Sequence, residues 1–251
     1  MKRRLWVALI LVLSAGCNKT STTPTSTTPD PYVVSDVFSG TLSMQGTQLR
    51  VFSVVQTSQT VLTLASLKRS GTNTTVSVPL TLVLGTPTTD ASTCTPSTTL
   101  TVSPALTAHF NQQLIAGTYC VSLTDPGNLT DTVDFGVRIN QSANATPVGK
   151  AGTEAFSTNL YRAGSVMRTF ATSQSGSISV MLNGVSPATS VGFGLGVPGA
   201  SECFLYSSTT STPGTSQELS ASADSGAYCV KVFDTGLVAD RVLFDMKITH
   251  Q

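Results

Sequence analysis

Charge, histidine and tryptophan are all scarce in this chain. Asp, Glu, Lys and Arg make up 11% of its 251 residues, there are two histidines, and the one tryptophan is Trp6. Lys and Arg nowhere cluster on a plausible face, which excludes the basic field that draws in nucleic acid. Catalysis or metal binding through histidine has only His109 and His250 to use. His109 reads as a strand-surface residue and His250 as a C-terminal one without a partner. No G-x-S-x-G elbow is present to activate a serine, and Glu154, Glu202 and Glu218 suggest no glycosidase pair. The long apolar run is Leu5–Leu13, "LWVALILVL". At nine residues it falls far short of the roughly 20 that a spanning helix needs.

What that run does fit is the apolar segment of a signal peptide, behind the basic start Lys2, Arg3 and Arg4. The following "LSAGC" resembles the lipobox of bacterial lipoproteins, with Ser14 where Leu is usual and Cys17 at the acylated position. The resemblance implies cleavage before Cys17 and attachment to the membrane through lipid. Asn18 after the cysteine implies outer-membrane sorting. Loss of residues 1–16 would leave eleven basic against thirteen acidic residues. Residues 17–31 then form a Thr/Pro-rich tether. From Asn18 onward, "NKTSTTPTSTTPDP" offers too little apolar surface to offset the entropy of ordering, and its prolines favour a reach of roughly 40 Å.

The rest is a repeat. "GTYCVSLTDPGNLTDTVDFGVRI" from Gly117 matches "GAYCVKVFDTGLVADRVLFDMKI" from Gly226 without a gap, and "FSGTLSMQGTQLRVFSVV" from Phe38 echoes "FSTNLYRAGSVMRTFATS" from Phe156. Two modules follow, over residues 32–141 and 153–251, joined by a small, polar, Pro/Gly-punctuated linker at 142–152. With Cys17 set aside, four cysteines remain, and four can pair in three ways. Cys94 precedes Cys120, and Cys203 precedes Cys229, by the same 26 positions, so one bridge per module is the economical pairing. An exported chain meets an oxidising compartment where such bridges persist. Zinc, the competing reading, calls for closely spaced thiolates or nearby histidine.

Val133, Phe135, Val137 and Ile139 alternate with Asp134, Gly136, Arg138 and Asn140. Val242, Phe244, Met246 and Ile248 repeat the pattern, which is that of a strand with one buried face. Tyr119 and Tyr228 share the core face of their own strands, so Cys120 and Cys229 point away from it. The bridges are therefore expected on the outer side of a sheet, pinning the preceding loop. About eight short, Thr/Val/Ser-rich strands per module predict an all-β fold, two tandem β-sandwiches of jelly-roll type.

"DSGAYC" at Asp224–Cys229 suggests an immunoglobulin strand, but that family places its tyrosine two residues before the cysteine and packs a tryptophan on the bridge. Neither holds here. Leu114, Ala116, Gly117, Thr118, Tyr119, Val121 and Leu123, followed by a closing "VDFGVRI" strand, and Gly226, Tyr228, Val230 and Val232 in the second copy, resemble the bacterial pre-peptidase C-terminal type of domain. That resemblance implies a small jelly-roll sandwich, found beside secreted enzymes or standing alone at the cell surface. The cysteine pair is a departure from it.

Two further motifs bear on ligands. Asp125, Gly127 and Asp131 recur as Asp234, Gly236 and Asp240. Turn chemistry explains them, with calcium on the two carboxylates of each copy, Asp125 and Asp131 or Asp234 and Asp240, as the alternative. Gly194, Gly196 and Gly199 satisfy G-x-G-x-x-G, but a strand and not a helix follows, so close sheet packing is expected in place of phosphate binding. The reading of the whole is a non-enzymatic envelope lipoprotein with a binding or structural role and a protein or polysaccharide partner. The alternative is a carbohydrate-binding module that assists a separate hydrolase, disfavoured by the few aromatic platforms left once Tyr119 and Tyr228 are buried.

Overall fold

The computed structural model describes residues 32–143 and 151–251. Cys17, the leader, the tether and most of the linker lie outside them. Every regular element among the described residues is a strand. Module 1 comprises β1 (Tyr32–Leu42), β2 (Thr47–Val54), β3 (Ser58–Arg69), β4 (Leu80–Pro87), β5 (Cys94–Val102), β6 (Phe110–Leu114), β7 (Gly117–Thr124) and β8 (Val133–Ala143). Module 2 comprises β9 (Gly152–Tyr161), β10 (Ser165–Thr172), β11 (Gly176–Ser186), β12 (Gly192–Pro198), β13 (Cys203–Thr210), β14 (Gln217–Ala223), β15 (Gly226–Phe233) and β16 (Arg241–His250).

Each module is one long hairpin rolled onto itself. β1 pairs with β8, β2 with β7, β3 with β6 and β4 with β5. Pairing of β3 with β8 and of β4 with β7 then closes two four-stranded sheets, β1-β8-β3-β6 and β2-β7-β4-β5. Module 2 has the same order, β9-β16-β11-β14 and β10-β15-β12-β13. This is the jelly-roll arrangement. Its irregularities repeat too. Bulges fall between Leu64 and Ser66 and between Leu182 and Gly184, then between Leu84 and Gly85 and between Leu195 and Gly196.

Aromatic contacts fix both cores alike. Phe38 meets Phe135 edge-on with centroids 4.9 Å apart, as Phe156 meets Phe244 at 5.1 Å. Phe52 with Tyr119 and Phe170 with Tyr228 each stand at 6.1 Å. An acid–arginine pair ties the first two strands of each module, Asp36 to Arg50 and Glu154 to Arg168.

β16 alternates as its sequence predicts, with Val242, Phe244, Met246, Ile248 and also His250 buried between exposed residues. β8 does not: Gly136 and Arg138, on its polar face, are buried as well. The reason is module 2, which packs against that face. The expectation of one solvated face therefore holds for β16 and is corrected for β8.

The pairings Cys94–Cys120 and Cys203–Cys229 are present, with Cα atoms 5.8 and 5.9 Å apart. They leave the core face as expected, but Cys120 and Cys229 are fully buried, and each bridge joins two strands, β5 to β7 and β13 to β15, instead of pinning a loop. Cys203, Leu205 and Cys229 make a small apolar cluster of their own, with Phe233 beside it. Each closure should stabilise its module by about 3 to 4 kcal/mol on the chain-entropy estimate.

Candidate functional site

The repeated aspartates act as backbone clamps. Asp125 Oδ1 accepts hydrogen bonds from the N–H groups of Gly127, Asn128 and Leu129 at 3.0, 2.7 and 3.2 Å, and Oδ2 accepts from Gln45 at 2.8 Å. Asp234 does the same for Gly236, Leu237, Val238 and Ala163. One carboxylate thus ties the loop before the last strand to the turn after the first. The turn residues it holds, Gln45 and Ala163, both have φ of 55°, a conformation that non-glycine residues seldom adopt without support. The other two aspartates do different work. Asp131 pairs with Arg69 Nε at 3.2 Å, and the Asp240 carbonyl accepts from Arg162 N–H at 2.8 Å. Within each module the two aspartates thus have separate partners. Among the described residues, no group of three or more His, Cys, Asp or Glu is placed to hold a metal.

Burial alone would push the Asp125 and Asp234 pKa values up, but the four N–H donors on each outweigh it and the net shift is down. The unfolded chain therefore binds more protons in acid. The clamp's contribution is full above the ordinary carboxylate range near 4 and is lost as pH falls through the lowered values. Asp234→Ala should cost about 2 to 3 kcal/mol at pH 7. In urea titrations that cost should shrink at acid pH; an equal loss at both pH values would contradict the clamp.

Both histidines have structural partners. The His109 ring sits with Nε2 2.8 Å from the Ser103 carbonyl and Nδ1 3.3 Å from that of Thr107, and burial holds its pKa below the usual imidazole value. It is half-buried just ahead of β6, not on a strand surface. His250, expected to lack a partner, faces inward with Nε2 3.4 Å from Glu154 Oε1 and its ring on Phe170. The alternation of β16, carried two residues further, would have placed it there.

Gly192, Gly194 and Gly196 of "GFGLGVPG" lie along β12 and Gly199 stands in the turn that follows, with β13 antiparallel beside β12 and no helix after. A Cβ on Gly196 would stand 1.9 Å from the Phe204 carbonyl oxygen, and one on Gly194 2.6 Å from that of Ser207. Close strand approach is what these glycines serve.

The feature that sequence reasoning missed is the seam between the modules. Phe204 lies on Gly136, where a Cβ would be 3.1 Å from its ring, and Ser66 Oγ donates to the Leu205 carbonyl at 2.7 Å. From the β5–β6 loop, Leu106 enters the core cluster of module 2, together with Ala65. Its backbone bridges in parallel to Ala223, and its carbonyl accepts from Asp224 N–H and from Arg138 Nη2 at 3.3 and 3.4 Å. Arg138 is 2% exposed. Its guanidinium lies over the Tyr228 ring, 5.1 Å from the centroid, and reaches the Ala227 carbonyl. The Tyr228 hydroxyl donates to the Asp224 carbonyl. Burial raises the Tyr228 pKa, with the Arg138 charge drawing it part of the way back.

Two grooves border this seam. In one, of about 520 Å³, the β3–β4 loop at Asn73–Thr75 faces Ser208–Thr210 and Phe233–Thr235 of module 2. The loop is fixed there: the Asn73 carbonyl accepts from Ser208 Oγ at 2.8 Å, and its Oδ1 from Lys231 Nζ at 3.3 Å. The other is of similar volume and contains Asp36 and Glu202, which pair with Arg50 and with Lys68 of module 1 respectively.

Strand order and seam together define an all-β protein of two jelly-roll modules. No protein-family model matches the sequence, and no curated protein matches it. A chain of the Sulfolobus Turreted Icosahedral Virus atomic structure aligns over 98% of this chain and 99% of its own, at 10% identity and a TM-score of 0.27. At that score the alignment carries no argument about this chain.

Proposed function

We propose that this chain is a non-enzymatic lipoprotein of the bacterial cell envelope, anchored through Cys17 in the outer membrane, whose two modules form a binding body held off the bilayer by the tether. The observation that carries the reading is the seam. Two sandwiches locked across Leu106, Arg138 and Phe204 present fixed grooves built from both modules, and sites at such junctions suit ligand binding. The two disulfides support an oxidising compartment. A binding role is also supported by the use made of the polar groups, since Asp125, Asp234, His109 and His250 all serve the fold. The likeness to pre-peptidase C-terminal domains fits the same setting.

Membrane fractionation of the producing bacterium tests the anchor. Wild-type chain should sediment with membranes and Cys17→Ser should not. Full retention of the variant would overturn the lipid attachment. The accessory reading, a module that holds carbohydrate for a separate hydrolase, is favoured by the hydroxyl-lined groove at Asn73.

A further inference from the structure

The chemistry of the groove at Asn73 is specific enough to name a ligand class. Its lining is dominated by hydroxyl groups in complementary states. Ser208 and Thr235 donate their protons to the carbonyls of Asn73 and Ser190, at 2.8 and 3.5 Å, and keep lone pairs. Thr210, opposite Gly192 on the same outward face as Ser208, adds an exposed hydroxyl that can both donate and accept. The groove therefore offers acceptors and donors side by side, as a polyol requires.

Charge is largely spent. Asp234 is committed to its four backbone N–H groups, and Lys231 is bonded to Asn73. A neutral ligand suits such a lining better than an ionic one. Phe233 supplies a flat ring, partly buried, with Lys231 Nζ 6.0 Å from its centroid. Its ring lies so close to β12 that a Cβ on Gly192 would be 2.1 Å from it. The corresponding residues of module 1, by strand pairing, are Thr124 and Thr81, so this ring-on-glycine platform belongs to module 2. The C–H face of a sugar ring is the apolar surface that stacks on such a ring while its rim of hydroxyls bonds to the banks. The double hold on Asn73 fixes the facing loop in advance, which lowers the entropy lost on binding.

We infer that this groove binds a neutral saccharide, one sugar ring seated on Phe233 and its hydroxyls held between the Asn73–Thr75 and Ser208–Thr210 banks. The inference rests on the reading of the chain as a binding protein and names the ligand class of that role.

Calorimetric titration of the detergent-solubilised full chain tests it, using cellohexaose, maltohexaose and mannohexaose, with polygalacturonate as the anionic comparison. At least one neutral probe should bind. Phe233→Ala should weaken it by about tenfold or more. Thr74→Trp, which fills the groove from an exposed loop position, should do the same while leaving the melting temperature near that of wild type. No neutral binding up to about 10 mM, binding of the polyanion alone, or affinity retained in both variants would overturn the inference. The anchor is judged separately: wild-type chain that binds a neutral probe but does not sediment with membranes sinks the lipoprotein reading and leaves the groove standing.

Discussion

Gly196→Ala is expected to cost module 2 about 3 kcal/mol or more, enough to leave much of it unfolded in a chain of ordinary stability. β12 lies between β13 and β15, and at the bulge after Leu195 the β13 backbone crosses close over it. The added methyl group would be 1.9 Å from the Phe204 carbonyl oxygen and 2.6 Å from its carbon. A side chain could turn aside, but a strand backbone cannot. Relief would require β13 to lift, breaking the pairing of Val197 with Phe204 and of Pro198 with Cys203. Overpacking of core side chains costs about 1 to 3 kcal/mol, and a clash with backbone belongs above that range. Gly184→Ala is the control, because nothing lies within 4 Å of its Cβ position; it should change stability by no more than about 0.5 kcal/mol. Urea unfolding of the two variants decides, and equal effects would contradict the close-approach account.

Leu106→Asp is the second large effect. Leu106 belongs to module 1 by sequence, yet it is 1% exposed within the core cluster of module 2. A carboxylate there would be buried without a cationic partner in place of an apolar side chain, and either change alone costs several kcal/mol. Arg138 lies nearby, but it is directed at the carbonyls of Leu106 and Ala227 and at Tyr228. The loss should fall on the seam and on the module 2 core that Leu106 enters, so module 2 should melt below module 1. Leu106→Met, which conserves volume, should cost less than about 1.5 kcal/mol. If Leu106→Asp left the melt unchanged, the loop would not be part of the shared core.

The contrast between β8 and β16 shows how far the sequence could be read. Both strands alternate, both cysteine pairs share one spacing, and the gap-free match of the module ends carries the repeat, so strand content, module count and bridges were legible. Sandwich topology followed because eight short strands with one apolar face each have few ways to bury it. The seam was hidden because it is built from residues that are neutral in any pattern. Gly136 is small enough to admit Phe204, whereas its counterpart is Asp245. Arg138 and Lys247 read alike as solvent-facing cations, yet one is buried under module 2 and the other exposed. A signal did exist in β12, where Gly192, Gly194 and Gly196 occupy one face that carries Thr81, Val83 and Gly85 in module 1. That asymmetry between otherwise matching strands marks the place where a ring and a neighbouring strand come close. Phe233 is hidden for a related reason, since a lone phenylalanine at a strand end reads as core.

The groove depends on the two modules being one body, and scanning calorimetry of the full chain tests that most directly. A single transition is expected, with a van't Hoff enthalpy equal to the calorimetric enthalpy. Two resolved transitions in the wild-type chain, or a van't Hoff enthalpy near half the calorimetric one, would contradict it.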